Sequence, residues 1–227
     1  MIVGSGLLAT AFEPLATALH DVCIYAAGVS NSLCTDTSEF DRDRARLQRT
    51  LEQVEPATRF VYFSTCSIDD PWSHDSVYTT HKAQLEELVR ARDNCLIVRL
   101  PQVAGDTPNP HTLLNYLYNR IARSERFDLW RHANRNIIDV SDAASITFDL
   151  VRRDTTGTIN VANARSYMLR EIVTVFEAMT GRKAIYNLLE KGGSYTIDTS
   201  SIADAVQRCG VAFDDGYLLR TLKKYYA

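Results

Sequence analysis

The stretch MIVGSGLLATAFEPLATALHDVCIYAAGVSNS, residues 1–32, decides what kind of sheet this chain can form. It opens with a short apolar run, continues through Gly4-Ser5-Gly6-Leu7-Leu8-Ala9 and enters a helical pattern. Gly4 permits a tight turn, Gly6 lets a backbone approach a pyrophosphate, and Ala9 lets helix and strand pack closely. A tight strand–helix turn that binds no ligand would account for the same glycines.

The next apolar run comes too early for a complete dinucleotide-binding sheet. In such a sheet a second strand ends in an acidic residue about 20 positions after the glycines. Here residues 22–28 read Val-Cys-Ile-Tyr-Ala-Ala-Gly, and no acidic residue closes a second strand before them. We therefore expect the half-sheet that holds adenine and its ribose to be absent.

Bulk composition excludes several classes of protein. With 227 residues, 45% apolar residues and a net charge of -3, the chain is an ordinary globular domain with no electrostatic reason to bind nucleic acid or an anionic membrane. It shows no secretory signal and no apolar stretch near the ~20 residues of a membrane span. Its odd number of cysteines includes no CxxC pair, which favours reduced thiols and a cytoplasmic location.

Strand-like and helix-like segments alternate through the first half of the chain. Apolar runs at Val22–Ala27, Arg59–Phe63 and Cys95–Leu100 predict strands, while Glu39–Val54 and Ser76–Arg92 carry apolar residues at helical spacing. This alternation predicts an α/β fold, with a reduced Rossmann-like parallel sheet and flanking helices. We expect one domain, residues 1–227, with a small C-terminal α+β lobe drawn mainly from about residues 101–140 and 160–227.

A tyrosine and a lysine four residues apart are the first candidate catalytic pair. Tyr78 and Lys82 would share one face of the predicted helix. A nearby ammonium favours the phenolate and lowers a tyrosine pKa from about 10, which makes the hydroxyl useful in proton transfer. Chance alone also produces such pairs in a chain with 11 tyrosines. His81 lies between the two but off their face, so we expect it at the surface.

Hydroxyl side chains follow the strand that ends near Phe63. Ser64-Thr65-Cys66-Ser67 come at its carboxyl end, where open α/β sheets place their sites. A hydroxyl there can bond a substrate oxygen while Tyr78 moves a proton. A Ser/Thr-rich turn that caps the next element is the structural alternative. The histidines at 20, 74, 81, 111 and 132 show no paired spacing, so no metal site is expected.

Taken in order, these motifs resemble the extended short-chain dehydrogenase/reductase family, the nucleotide-sugar epimerases, dehydratases and reductases. Gly4 to Ala9 resembles the glycine motif, Ala26-Ala27-Gly28 the end of the fourth strand, and Tyr78-x-x-x-Lys82 the catalytic pair. Residues 99–105, Arg-Leu-Pro-Gln-Val-Ala-Gly, are similar to the sixth strand and substrate loop, and Arg135 to Ala144 to the late Arg-x-x-x-x-Val-x-Asp segment. The resemblance covers nearly the whole chain.

The resemblance implies roles for individual residues. Thr65 would polarise the substrate oxygen, Tyr78 would act as general acid and base, and Lys82 would lower the Tyr78 pKa and hold the nicotinamide ribose. An NAD or NADP cofactor would contact Gly4, Ser5, Gly6, Leu7, Leu8, Ala26, Ala27, Gly28, Ser64, Tyr78, Lys82 and Pro101. A nucleotide sugar would contact Thr65, Cys66, Gln102 and Arg135, whose guanidinium suits a diphosphate. Arg135 could equally be a solvent-exposed residue at a strand edge.

The chain also departs from the family. Besides the missing strands, Asp43 stands where the family has an Asn, and the short gap between Thr65 and Tyr78 trims a substrate-covering loop. With its neighbours gone, the Ile2–Val3 strand should lie at the sheet edge, where a homodimer partner, another subunit or the Phe12–His20 region would cover it. Two functions stay open: an NAD(P)-linked enzyme acting on a nucleotide sugar, and a non-catalytic module that binds a nucleotide sugar or a partner protein.

Overall fold

Strands and helices alternate along the chain in a computed structural model that describes residues 1–73 and 75–227. The strands are β1 (Ile2–Val3), β2 (Val22–Tyr25), β3 (Arg59–Thr65), β4 (Cys95–Leu100), β5 (Gln102–Ala104), β6 (Phe127–Trp130), β7 (Asn134–Asp139), β8 (Gly157–Asn160), β9 (Ser166–Met168) and β10 (Tyr186–Leu189). The α-helices are α1 (Leu7–Phe12), α2 (Thr37–Gln53), α3 (Val77–Arg90), α4 (Leu113–Ala122), α5 (Val140–Arg152), α6 (Leu169–Thr180), α7 (Ala203–Arg208) and α8 (Tyr217–Tyr226). Short 3₁₀ helices span Glu13–Ala18, Cys66–Asp69 and Ser200–Ile202.

The main sheet has five parallel strands in the order β1-β2-β3-β4-β8. The strands and helices predicted in the first half of the chain are all present, with ends that differ by about two residues. All seven residues of β3 are buried, as expected for a parallel strand covered on both faces. The predicted α/β class with a Rossmann-like parallel sheet is therefore confirmed.

The first strand lies at the edge of this sheet. A doubly wound dinucleotide-binding sheet has the strand order 3-2-1-4-5-6. Here β1 pairs with β2, Ile2 opposite Ile24 and Val3 opposite Tyr25, and with no other strand of the described residues. The sheet thus keeps the half that begins at the first strand and lacks the half beyond it, which confirms the predicted edge position.

Helices cover both faces of the main sheet. On one face α1, α5 and α7 pack over strand residues that include Ile24, Val61 and Leu96. On the other face α2 and α3 contribute Leu47 and Leu85 to a cluster with buried residues of β2, β3 and β4. No helix of the described ranges is both long and apolar enough to cross a membrane.

A second apolar cluster joins the later elements. Leu117 of α4, Ile137 of β7, Phe176 of α6 and Leu222 of α8 are buried together. Two small sheets accompany them, β10-β6 and β5-β7-β9. By contrast, α7 packs on the main sheet through Ala205. The proposed division into a sheet body and a C-terminal lobe stays an interpretation of these clusters.

The Phe12–His20 region was one candidate to cover the exposed edge of β1. Phe12 and Leu19 instead enter the core on one face of the sheet, next to Val22 and Ile24. Among the described residues, no backbone hydrogen bond joins this region to β1. Cover from a second chain therefore stays a prediction.

The cysteines are all free thiols. Cys23, Cys66 and Cys95 are buried, as expected from their apolar strand-like surroundings. Burial raises the pKa of the Cys23 thiol to about 11, which keeps it protonated at neutral pH.

Substitutions of Gly4 and Gly6 test the backbone conformation of the turn after β1. Gly4 has a φ of +126°, and a Cβ there would lie 2.5 Å from the Ala26 carbonyl oxygen, whereas a Cβ on Gly6 would meet no atom within 4 Å. We expect Gly4→Ala to lower the free energy of unfolding by about 2–4 kcal/mol, because strain and a backbone clash act together. Gly6→Ala should change it by less than about 0.5 kcal/mol.

Urea denaturation of both variants and the wild-type protein would measure this difference. Equal stabilities for Gly4→Ala and Gly6→Ala would contradict the described contact between the turn and Ala26.

Candidate functional site

The candidate site lies where the parallel strands end. The glycine turn follows β1, Ala26–Gly28 follows β2, Thr65 ends β3, and Pro101 follows β4. Parallel strands bring their carboxyl ends to one edge of a sheet, so these segments converge there. This is the edge at which the sequence placed the site.

Thr65 and Tyr78 are brought together by the first turn of α3. Ser76 caps that helix by accepting a hydrogen bond from the Thr79 N–H at 3.1 Å, which fixes Tyr78 next to the sheet. The Tyr78 side chain is buried, and the Thr65 hydroxyl is near enough to its phenol to lower the pKa of that phenol. The Thr65 oxygen also accepts the Ser67 N–H at 3.1 Å, so the suspected turn cap and the suspected site hydroxyl are the same group.

The pKa of Tyr78 lies above its ordinary value, opposite to the expected direction. Burial raises it most, the Asp43 carboxylate raises it further, and the Thr65 hydroxyl lowers it only in part. Lys82 does not depress it, because the ammonium is turned toward the sheet. The expectation that the Lys82 ammonium lowers the Tyr78 pKa is therefore corrected.

Lys82 is buried and bonded to neutral groups. Its Nζ donates to the Tyr62 hydroxyl and to the Phe63 carbonyl, both at 3.3 Å, and lies 5.2 Å from the Tyr62 ring centre. An ammonium has three N–H donors, and the third finds no acceptor among the described residues. Burial lowers the pKa of Lys82, while the charges of Asp43 and Glu86 oppose that effect.

Asp43 reaches the same place from α2. Its side chain is 3% exposed. Oδ2 lies 3.1 Å from His81 Nε2 and accepts the Val29 N–H at 3.2 Å, whereas Oδ1 is buried with no partner in the described part of the chain. Burial would raise the pKa of Asp43, but the hydrogen bond from His81, the charge of Lys82 and the Val29 N–H together hold it below its ordinary value.

His81 is buried, not exposed, so the expectation of a surface position is wrong. Its ring lies 4.6 Å from the Phe40 ring, and its Nε2 faces Asp43. The reason is that α3 packs against α2 as well as against the sheet, so two of its sides are covered. The sequence of α3 alone does not show that a second side of this helix is covered by α2.

The glycine turn is accessible from solvent. Gly4, Ser5 and Gly6 are exposed, and Gly6 precedes α1 with open space around it. Leu8 packs against the core cluster, so its backbone rather than its side chain is available to a ligand. Leu7 lies against Gly105, which joins the turn to the segment that follows β4.

The other predicted contacts of the cofactor and substrate differ in their surroundings. Ser64 has a buried Oγ with no partner among the described residues. The Cys66 thiol donates to the Arg99 carbonyl at 3.3 Å, and burial raises its pKa to about 12, so it is an inert thiol held by β4. Pro101 and Gln102 are half-buried where β4 gives way to β5.

Arg135 is half-buried on β7 instead of being a solvated edge residue. Its Nη1 donates to the Asn134 carbonyl at 2.7 Å. Burial lowers the pKa of Arg135, and the negative charge of Asp70 opposes this effect. The guanidinium therefore lies within electrostatic reach of the loop that follows Thr65.

Tyr195 is a residue that sequence reasoning missed. Burial raises its pKa, with further contributions from Cys66 and Asp70, while Arg135 acts in the opposite direction. It belongs to an irregular segment, so neither helical nor strand periodicity marks it. Asp70 lies in a turn, because its carboxylate accepts a hydrogen bond from the Trp72 N–H at 3.0 Å.

Metal ligation was not expected from the sequence. In residues 1–73 and 75–227 no group of three or more His, Cys, Asp and Glu side chains is arranged to hold a metal ion. His74, one of the five histidines considered, lies outside the described residues.

No protein-family model and no curated protein matches this chain. Several solved structures match this chain. A dTDP-glucose 4,6-dehydratase from Bacillus anthracis str. Ames in complex with NAD matches with a TM-score of 0.70 and 15% identity, over 97% of this chain and 78% of that chain. A UDP-glucuronic acid 4-epimerase from Bacillus cereus in complex with UDP-glucuronic acid and NAD has a TM-score of 0.71, 18% identity, and coverage of 98% and 79%. RMD from Pseudomonas aeruginosa, complexed with NADPH, has a TM-score of 0.65, 18% identity, and coverage of 98% and 86%.

At identities of 15% to 18% this likeness shows the fold alone. At that level it agrees with the resemblance found in the sequence. The chain has the Rossmann-like α/β fold of these proteins, in a shortened form whose first strand lies at the edge of the sheet.

Proposed function

We propose that this protein is an NAD(P)-dependent epimerase, dehydratase or reductase that acts on a nucleotide-activated sugar. The observation that carries the proposal is the contact of Thr65 with Tyr78, one helical turn from Lys82, at the carboxyl ends of the strands and beside an accessible glycine turn. The names of two similar structures, a dTDP-glucose dehydratase and a UDP-glucuronic acid epimerase, support the substrate class, and all three structures hold NAD or NADPH. Five free thiols agree with a reducing compartment such as the cytoplasm.

The residues present fit the nicotinamide half of such a cofactor. The third Lys82 donor and the Ser64 hydroxyl have no hydrogen-bond partner within residues 1–73 and 75–227, and Gly6 leaves room for a backbone approach. Unpaired buried polar groups are unfavourable, so a ligand that pairs with them gains affinity. When bound, a nicotinamide supplies hydride chemistry.

Within this proposal the hydroxyl pair handles the proton. Thr65 forms a hydrogen bond with the substrate oxygen, and Tyr78 exchanges a proton with the same oxygen. The raised pKa of Tyr78 keeps its hydroxyl protonated at neutral pH, so Tyr78 begins as a proton donor.

Arg135 and its surroundings form the proposed substrate end of the site. A planar guanidinium with one protein hydrogen bond retains donors for the oxygens of a diphosphate. Gln102 and Cys66 lie on the segments between Thr65 and Arg135, and Tyr195 is within electrostatic reach of Cys66 and Arg135.

The adenosine half of the site is incomplete in a single chain. The strand whose acidic end would bond the ribose 2′-hydroxyl is absent beyond β1. A lost hydrogen bond to a charged group costs about 1.5–3 kcal/mol, and the lost adenine cleft adds unburied apolar surface. We propose that a second copy or another subunit pairs with β1 and supplies this wall.

The runner-up function is a non-catalytic module that binds a nucleotide sugar or a protein. The edge position of β1 favours it, because a redox enzyme must hold its dinucleotide firmly. Dinucleotide binding and turnover separate the two proposals.

Tyr78→Phe tests the enzymatic proposal. Removal of one hydroxyl should leave the fold intact and lower the turnover of nucleotide sugars by about 10²–10⁴-fold, because only a proton-transfer group is lost. Turnover is measured by nicotinamide absorbance over a panel of nucleotide sugars. Tyr116→Phe is the matched control, since Tyr116 lies exposed on α4. An active wild type and an equally active Tyr78→Phe would refute the role of Tyr78.

Titration calorimetry with NAD and NADP tests the incomplete adenosine half. We expect the isolated monomer to bind either one about 10²–10⁴-fold more weakly than a complete site would, with little discrimination by the 2′-phosphate. Gly6→Ala should weaken binding further without changing stability, because its methyl group fills the open approach.

Tight, NAD-selective binding by a monomer would contradict the missing-wall interpretation. Binding that is undetectable in every oligomeric state would favour the non-catalytic module.

A further inference from the structure

We propose that Asp43 and His81 form a positioning pair that keeps the Lys82 ammonium charged inside the fold and fixes the Ala26–Gly28 turn against α2. The pair belongs to the site on which the proposed function rests. Its test reads Lys82 itself, so it stands or falls separately from enzymatic activity.

The first observation is a buried carboxylate that lacks an arginine or lysine in direct contact. Among the residues that the structure describes, Asp43 has two hydrogen-bonded neighbours at one oxygen, His81 Nε2 at 3.1 Å and the Val29 N–H at 3.2 Å, and none at the other. A buried carboxylate is costly unless charge and hydrogen bonds compensate it. Asp43 is therefore retained in its charged form by donors and by a positive charge nearby.

The second observation is a buried ammonium whose direct contacts are neutral. Lys82 bonds the Tyr62 hydroxyl and the Phe63 carbonyl. Burial and the Asp43 charge raise the pKa of Tyr62 well above its ordinary value, so that hydroxyl stays neutral. Neither contact supplies the negative charge that a buried ammonium needs.

Two carboxylates, Asp43 and Glu86, favour the charged form of Lys82. Among the described residues Glu86 is paired with arginine, whereas Asp43 is not. Glu86 accepts two hydrogen bonds from Arg99, both at 2.8 Å, and a third from Arg90 at 2.6 Å. Its charge is thus shared with two guanidinium groups. Asp43 makes no such pair, so its charge is the one that balances Lys82.

His81 holds the Asp43 carboxylate in place. A carboxylate only accepts hydrogen bonds, so Nε2 carries the proton in the contact with Asp43. This hydrogen bond orients the carboxylate within the fold. The Phe40 ring, 4.6 Å from the imidazole, limits its rotation.

The same carboxylate fixes the turn after β2. Gly28 has a φ of +131°, and a Cβ there would lie 3.1 and 3.2 Å from the two Asp43 oxygens. The Val29 N–H then bonds Oδ2. One side chain thus connects the turn beside the glycine motif with the helix that carries Tyr78 and Lys82.

The titratable groups around the pair come from four elements. They are Tyr25 of β2, Tyr62 of β3, Asp43 of α2, and Tyr78, His81, Lys82 and Glu86 of α3. Removal of the Asp43 charge should make the ammonium of Lys82 easier to deprotonate, because a favourable charge is lost at a buried site.

The experiment follows Lys82 by NMR of protein labelled with ¹³C at lysine Cε. The chain has only five lysines, at positions 82, 183, 191, 223 and 224, and Lys82→Arg assigns the signal. In Asp43→Asn, which keeps the shape and the hydrogen-bond acceptor, the Lys82 titration midpoint should fall by about one pH unit or more, a tenfold change in the deprotonated fraction. If this variant does not fold, Asp43→Ser removes the same charge with a smaller side chain.

Two controls separate charge from shape. Glu87→Gln removes one negative charge from an exposed position of α3 and should leave the Lys82 midpoint unchanged. His81→Gln keeps a donor for Asp43 and should leave it nearly unchanged. The proposal is overturned if Lys82 titrates identically in wild type and folded Asp43→Asn, or stays charged in both up to the alkaline limit of folding. A shifted midpoint in a protein that turns over no nucleotide sugar would uphold the pair and count against the proposed function alone.

Discussion

The parallel pairing of β3 with β2 on one side and β4 on the other is the constraint from which the rest of the structure follows. β3 is buried along its whole length, so its two faces must be covered by different helices. Its register brings Tyr62, Phe63 and Thr65 in succession to the carboxyl edge of the sheet. Lys82 and Tyr78 are then fixed because α3 returns across the face on which Tyr62 and the Phe63 carbonyl accept from the ammonium.

Burial gives this site its electrostatic character. The phenol, the ammonium and the carboxylate of Tyr78, Lys82 and Asp43 are all removed from solvent, and removal from water penalises every charged form. A neighbouring opposite charge offsets that penalty for Lys82 and Asp43, whereas the phenol of Tyr78 receives no such help and its pKa rises. The same three side chains in an open cleft would have ordinary properties.

The incomplete sheet imposes a different constraint. A short edge strand such as β1 has backbone groups that face away from β2, and an edge of this kind invites pairing. The Met1 nitrogen donates to the Val22 carbonyl at 2.6 Å, which adds a contact between the residue before β1 and β2. The glycine turn is therefore held from one side and open on the other, and this asymmetry is the basis of our proposal that another chain completes a cofactor site.

The amino-acid sequence by itself determined the alternation of strands and helices, the edge position of β1 and the segments that converge on the site. These features depend on local periodicity, on turn residues and on the number of residues between Gly6 and Val22, all of which can be read along one chain. The order of the motifs along the chain also predicted that Thr65 and Tyr78 would lie at the same edge of the sheet.

Only the tertiary structure decided how the side chains of the site are paired. His81 is buried, Asp43 lies beside Gly28, and Lys82 bonds Tyr62 instead of lowering the Tyr78 pKa. Tyr195 lies within electrostatic reach of Arg135. Each of these facts depends on which element packs against α3 and from which direction. Helical spacing fixes the side of a helix that a residue occupies, but burial and pKa depend on what lies opposite that side, and residues distant in sequence supply it.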